Sequence, residues 1–401
     1  MSCECPFVVY IQHKPRSSVM KKSALALAVA AALVGFGSAA YADTTLYGSA
    51  RVSVDYSDFN ANYALAPNGS LVRVTPGTDS WDVFNNASRL GVRGEEDLGG
   101  GLSAIYQYEF GVDVTDGGNL NSNRPKWVGL KGSGWGSLTV GTQWTAYYNV
   151  MGIADIFNSS KVFSSDSIYL GNTFGTRMDN SLIYTTPNWS GFSAQAMLVM
   201  NGQCPPTDPQ VPSELRYGTA CGDTRVSGTT NLVPANLSDD IDMWGISMSY
   251  KNGPFFAGGT YMALEGPSFD EFFTRPAYDG EQYGLAFGYN SGPFAVTFNW
   301  ERGDVNTQYF GETDNYYLTG QYTFGNNIIR AAYGFMSPDD ELLFLANGNI
   351  LEQSDINNWV LGYQYNFSKR TRVWVEYLGQ DIDTDLVGSR QTVSIGTRVD
   401  F

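Results

Sequence analysis

The chain has 401 residues, with 24 Lys plus Arg against 40 Asp plus Glu, a net charge of −16 and a single histidine, His13. His13 falls in an amino-terminal leader that is predicted to be removed, so the mature protein would have no imidazole. That excludes Ser-His-Asp and Cys-His catalysis, histidine metal sites and a histidine pH switch. The acidic balance argues against nucleic acid as a partner. Charged residues make up only 16%, while Gly reaches 45, Tyr 25 and Phe 23. That balance favours strands and turns over helices.

In chain order a leader comes first. Met20-Lys21-Lys22 is a short basic start, Ser23 to Ala40 is small and apolar, and Ala40-Tyr41-Ala42 has the A-x-A form of a cleavage site. The pattern predicts a secretory signal peptide over residues 1–42, with Met20 the true start and 43–401 the mature domain. No other stretch approaches the roughly 20 continuous apolar residues of a membrane helix. Cys3 and Cys5 would leave with the leader. Cys204 and Cys221 remain, both in one long polar stretch. An exported chain meets an oxidising compartment, so these two are expected to form a disulfide.

From residue 45 onward, apolar and polar residues alternate. Leu46, Gly48, Ala50, Val52, Val54 and Tyr56 oppose Tyr47, Ser49, Arg51, Ser53 and Asp55. The same period of two recurs over 102–113, 192–200, 294–301, 358–367 and 392–401. It is the signature of strands with one apolar and one polar face. Seven short turns, such as Asp97-Leu98-Gly99-Gly100 and Lys251-Asn252-Gly253, alternate with eight longer polar stretches. The longer stretches run roughly over 58–85, 114–123, 147–176, 201–240, 265–280, 302–313, 337–354 and 380–388. Fifteen connections imply sixteen strands. An even count with short turns on one side and long loops on the other predicts an all-β transmembrane antiparallel β-barrel. Aromatics near strand ends, among them Tyr56, Trp127, Trp144, Tyr250, Tyr289, Phe324, Phe367 and Phe401, suit two interfacial girdles.

Several segments resemble the Gram-negative general porin family. Thr44-Thr45-Leu46-Tyr47-Gly48 is similar to the family's first strand, and the run from Ser88 to Leu102 to its second strand and first turn. Val128-Gly129-Leu130 with Gly136-Ser137-Leu138-Thr139-Val140-Gly141 resembles strands four and five, and Arg177 to Tyr184 the strand after the third loop. The resemblance implies a homotrimeric, sixteen-stranded diffusion channel in the outer membrane of a Gram-negative bacterium. It also implies that the terminal Phe401 is read by the barrel-assembly machinery. The Pro-Glu-Phe-Gly type motif of many members' third loop is absent here.

Alternation points Arg51, Arg89, Arg93, Arg177, Arg330, Arg372 and Arg398 into the lumen, with Asp55, Glu95, Glu109, Glu301 and Glu376. An arginine facing lipid would cost about 2–4 kcal/mol at the midplane. Arg124 shares parity with Val128 and Leu130 and so counts outward, whereas the family resemblance places it in the pore. The third long stretch, from Tyr147 to Thr176, is unlike the others in being rich in apolar residues: Val150, Met151, Ile153, Ile156, Phe157, Val162, Phe163, Ile168, Tyr169 and Leu170. Folded inward, these would pack on the barrel wall and narrow the channel. Its acids, Asp155 and Asp166, would then oppose Arg89, Arg93, Arg124 and Arg177 across the constriction.

The reading is a passive channel for small hydrophilic solutes and ions, with no reaction, cofactor or metal. Two alternatives remain. One is a substrate-selective channel on the same barrel; the other is a structural or adhesive barrel working through loops such as 201–240. Acidic loops, with Asp239, Asp240, Asp339, Asp340 and Glu341, suit divalent-cation bridges to lipopolysaccharide beside the outer-membrane lipid. Removal of the leader is tested by amino-terminal sequencing of the mature protein, which should read Asp43-Thr44-Thr45; a longer start would overturn it.

Overall fold

The computed structural model describes residues 43–401 apart from 66–70, 76, 118–119, 122–123, 166–167, 172–174, 201–240, 242, 265–279, 304–311, 340–341, 345–349, 353 and 383–387. The predicted leader, Asp166, Cys204 and Cys221 lie outside the described residues.

Sixteen strands form one antiparallel sheet. They are β1 (Asp43–Phe59), β2 (Thr78–Asn85 and Arg89–Gly99), β3 (Leu102–Val112), β4 (Lys126–Gly132), β5 (Gly136–Trp144), β6 (Arg177–Thr185), β7 (Phe192–Val199) and β8 (Met243–Asn252). The second half comprises β9 (Phe255–Leu264), β10 (Gly280–Ser291), β11 (Phe294–Gly303), β12 (Thr313–Phe324), β13 (Asn327–Pro338), β14 (Ile356–Asn366), β15 (Thr371–Ile382) and β16 (Arg390–Asp400). Each strand pairs with its sequence neighbours, and β1 pairs with β16 from Ser49↔Asp400 to Phe59↔Arg390. Gly48 and Phe401 then exchange backbone hydrogen bonds of 3.0 and 3.1 Å. The sheet therefore closes on itself and has no free edge.

Alternation decides the two faces. Leu46, Val54, Val140, Leu285, Leu318, Leu361 and Ile395 are exposed on one face, while Ser49, Ser53, Ser57, Asn299, Thr319, Asn358 and Ser394 are buried on the other. An apolar exterior with polar residues facing the axis is the order a lipid solvent demands. Phe255, Phe294, Phe324 and Phe367 stand exposed beside the short turns, and Tyr316, Tyr333 and Trp359 farther up the wall. Two tight hairpins use left-handed glycines, Gly253 (φ 57°) and Gly292 (φ 58°), which cost no steric strain.

Two features depart from the sequence reading. The stretch 58–85, expected as one loop, contains the first half of β2, which pairs Val52↔Asn85 to Phe59↔Thr78. Its tip supplies Asn62–Leu65 and Leu71–Thr75 to a second, four-stranded sheet with Leu342–Phe344 and Ile350–Glu352. These strands are only three to five residues long, too short to display a period of two. Trp144, expected in an aromatic girdle, is instead sandwiched between Tyr148 and Arg177.

Among the described residues no helix is long and apolar enough to cross a membrane. The strands are the spanning elements, and their outer face can be tested. Leu361, sixth of the eleven residues of β14 and 57% exposed, should lose about 2–4 kcal/mol of folding stability in lipid vesicles on substitution by Arg. Denaturant titration of Leu361→Arg against Leu361→Ala checks this, and equal stability of the two variants would contradict the assignment of faces.

Candidate functional site

The segment between β5 and β6 opens with a short helix, α1 (Ala146–Met151), capped by Thr145, whose hydroxyl accepts from Tyr148 N at 3.1 Å. A 3-10 turn, Gly152–Ala154, and a π turn, Lys161–Ser165, follow. Ala146, Tyr147, Val150, Met151 and Ala154 recur at helical spacing and are all buried. With Phe157, Val162, Phe163, Ile168, Tyr169 and Leu170 they form one apolar cluster.

The rest of that cluster comes from the polar face of the strands: Met178, Ile183, Met197, Val199, Met243, Met262, Leu264, Ala286, Tyr317, Ala332, Met336, Ile356, Val360 and Leu378. Each fully buried Val, Leu, Ile or Met among them gains about 1.5–3 kcal/mol. Glycines make room for the segment. A Cβ at Gly258 would stand 2.7 Å from Val150 Cγ1, and one at Gly284 2.6 Å from Met151 Sδ. The ring of Phe163 stacks on Tyr169 (4.3 Å) and meets Tyr317 edge-on (5.5 Å).

Polar anchors fasten the same segment. Tyr147 Oη donates to Glu301, which also accepts from Asn315 Nδ2. Burial, and then the Glu301 charge, push the Tyr147 phenol well above its ordinary value, so it remains a donor. Asn299 Nδ2 donates to Met151 O (2.7 Å) and Asn315 Nδ2 to Ile168 O (2.6 Å). Glu376 accepts from the backbone N–H of Asn158 (2.9 Å) and of Ser159 (2.8 Å). Asn86 Oδ1 accepts from Ser160 N (2.7 Å). Asn86 can do so because β2 is interrupted at 86–88, where Ala87 has φ 62° and the strand bulges.

The arginines lie on β15, β16, β1, β2 and β6 and just before β4, on strands that include two of those holding the segment. Arg372, Arg398 and Arg51 are cross-strand partners in one row. Like charges in register are unfavourable, and Asp400 offsets them by accepting from Arg372 NH2 (2.7 Å) and Arg398 Nε (2.6 Å). Glu109 lies 3.5 Å from Arg124 and 3.7 Å from Arg89, and accepts from Tyr47 Oη at 3.0 Å. Arg177 covers the Trp144 ring at 4.5 Å, and Trp144 stacks on Tyr148 at 4.3 Å. Arg93 lies over the Tyr47 ring at 5.3 Å.

Arg124 is 7% exposed and precedes β4. Strand parity does not apply to it there, which explains why counting along the chain sends it the wrong way. It donates to Ala87 O at 3.0 Å. Burial, then Arg177 and Arg89, pull its guanidinium down to about 10, which leaves it charged at neutral pH. Asp155 is surface-accessible and accepts from Tyr148 Oη at 2.9 Å; desolvation beside the wall raises its carboxyl above the ordinary value, against the opposing pull of that hydrogen bond and of Arg51 and Arg89. Lys161 sits 3.6 Å from Asp82. Arg330 donates to Gln321 (3.0 Å) and Gln364 (2.9 Å), apart from this group.

The structure thus brings Arg51, Arg89, Arg124, Arg177, Arg398, Glu109 and Asp155 together. Sequence reasoning placed Glu301 and Glu376 on the right face but missed that they hold the segment. The apolar residues on the polar face, such as Met197 and Met262, were the available signal: they break the alternation that a water-lined wall would keep. Among the described residues no group of His, Cys, Asp or Glu is placed to hold a metal ion.

The family model described as "Gram-negative porin" matches residues 26–385. An outer membrane porin protein of Bordetella pertussis is 30% identical over 380 residues, covering 88% of this chain and 93% of that protein. The major outer membrane protein P.IA of Neisseria meningitidis is 27% identical over 368 residues, covering 83% and 88%. Among solved structures, the anion-selective porin from Comamonas acidovorans superposes with a TM-score of 0.58 at 18% identity, over 90% of this chain and 100% of that one. The trimer form of the outer membrane protein OmpT of Vibrio cholerae gives a TM-score of 0.54 at 13% identity, over 90% and 99%. A match of this extent, on a closed sixteen-stranded barrel with an apolar exterior, makes the chain a member of the Gram-negative porin family and a channel-forming protein of the bacterial outer membrane.

Proposed function

We propose that the segment 146–171 folds into the barrel and forms the neck of a passive diffusion channel. Residues of this one segment touch Asn86 of β2, Glu301 of β11, Asn315 of β12 and Glu376 of β15 on a single face of a closed sheet. That observation carries the reading, since a segment above the barrel could not reach the polar faces of strands so far apart around the wall. The neck is then bounded by Asp155 on the segment and by Arg51, Arg89, Arg93, Arg124 and Arg177 on the wall. Asp166 would add to the segment's charge.

Opposed charges across a narrow, low-dielectric neck set up a transverse field. Such a field orders water and dipolar solutes and disfavours apolar ones. Glu109 is engaged by Arg89 and Arg124, and Glu301 and Glu376 by the segment itself, so the arginines dominate the charge facing water at the neck. We read the neck as favouring anions, against the overall acidity of the chain. No reaction and no cofactor belong to this function. The trimer form of one fold neighbour, and the exposed apolar face, support a homotrimer; Phe401, held at the β1–β16 seam, suits an end read by assembly machinery.

Planar-bilayer recording tests the neck. Replacing Arg89 and Arg177 together by Gln should move the reversal potential in a salt gradient toward cations and raise conductance. Unchanged values of both would defeat the assignment. A second variant addresses the anchors. Glu376→Ala strips the acceptor from two backbone N–H groups, at about 1–3 kcal/mol for each donor left unsatisfied. The turn at 158–160 should loosen, giving a larger and noisier single-channel current than the parent; a current identical to the parent's would show that Glu376 does not hold the neck.

A further inference from the structure

A second concave feature adjoins the short-turn side of the segment, and Gln364 in its lining also accepts from Asn158 Nδ2 at 2.9 Å. A recess of about 510 Å³ opens at the short-turn end of β12–β15, bounded by the turn at Asn326 and by the turn carrying Phe367, Ser368 and Lys369. Arg330, Arg372 and Lys369 line it. Its amides are arranged to present donors. Gln321 Oε1 and Gln364 Oε1 accept from Arg330 at 3.0 and 2.9 Å, and Asn366 Oδ1 accepts from Gln364 Nε2 at 2.6 Å. The carbonyl ends are thus consumed within the wall.

The carboxylates nearest these cations are also engaged. Glu376, 3.9 Å from Arg330, takes the backbone N–H groups of Asn158 and Ser159. Asp400 is shared between Arg372 and Arg398. Ile328 adds apolar surface to the same recess, whereas the Phe367 ring at its rim packs on Tyr365 on the outer face. Three cations with oriented N–H donors favour an anion, and the apolar side chain of Ile328 favours a short hydrocarbon body beside it.

We propose that this recess is a binding station for small organic anions, a carboxylate on a short hydrocarbon chain, on the short-turn side of the neck. Arg372 belongs both to its lining and to the row Arg372–Arg398–Arg51, so a carboxylate leaving the neck meets the recess without crossing uncharged wall. The role in transport rests on the channel reading above; binding at the recess does not.

The test uses the folded protein with glutarate and inorganic phosphate as probes. Titration calorimetry in detergent should show saturable glutarate binding that is tighter than phosphate binding. Lys369→Gln and Arg372→Gln should each weaken it about tenfold, equivalent to about 1.4 kcal/mol. Lys131→Gln, whose ammonium pairs with Glu95 at another turn, should leave it unchanged. In bilayers, glutarate should reduce the single-channel current more strongly from the short-turn side. Absent glutarate binding, affinity insensitive to both recess variants, or phosphate binding as tight as glutarate binding would each overturn the proposal. Loss of potassium chloride conductance would instead count against the channel reading, while calorimetry would still decide the recess.

Discussion

A strand that crosses hydrocarbon must find a partner for every backbone N–H and C=O, because no water is there to serve. In this chain the requirement is met by the pairing of β1 with β16, from Ser49↔Asp400 to Phe59↔Arg390. Without that seam two edges would lie in lipid. With it, the sheet has only an outside and an inside, and the period of two sorts every side chain between them. The exposed Leu361 and Ile395 and the buried Asn358 and Ser394 are consequences of closure as much as of sequence.

Closure also creates an interior that something must fill or leave wet. Here the inner wall is not uniformly polar. Met197, Met243, Met262, Ala286, Met336 and Leu378 would be poorly placed against water, yet they are buried among the apolar side chains of the segment after β5. Buried carboxylates add direction to that packing. Glu301 and Glu376 accept from Tyr147 Oη and from the backbone of 158–159, and leaving either set of groups unsatisfied is costly. The apolar contacts set the segment's affinity for the wall, and the hydrogen bonds set its register along it.

The charge distribution follows from the same anchoring. Acids that hold the segment are withdrawn from water, whereas Arg51, Arg89, Arg177 and Arg398 are only partly buried. On the proposed reading, a chain of net charge −16 presents a basic passage. Bulk composition describes the loops and the exterior of the mouth; it says little about a few side chains at a narrow point, where the local dielectric is low and each charge counts for more.

Strands, their number and their faces were legible in the chain, because lipid outside and water inside impose a period of two that one sequence can display. Seven short turns and eight long connections gave the count before any pairing was known, and the alternation of Leu46 to Asp55 gave the faces of β1. The arginines of the wall were legible on the same ground. Other features depend on groups distant in sequence and had no local signature. The bulge at 86–88 that turns Asn86 toward Ser160, the place of Arg124 beside Ala87 and Glu109, and the strand inside 58–85 are of this kind. Residues 218 apart, Asn158 and Glu376, meet only because the barrel closes. Sequence by itself determined which residues face lipid, since that depends on nearest neighbours along a strand; tertiary structure decided which carboxylates hold the segment and which arginines gather beside them, since that depends on what closure brings together.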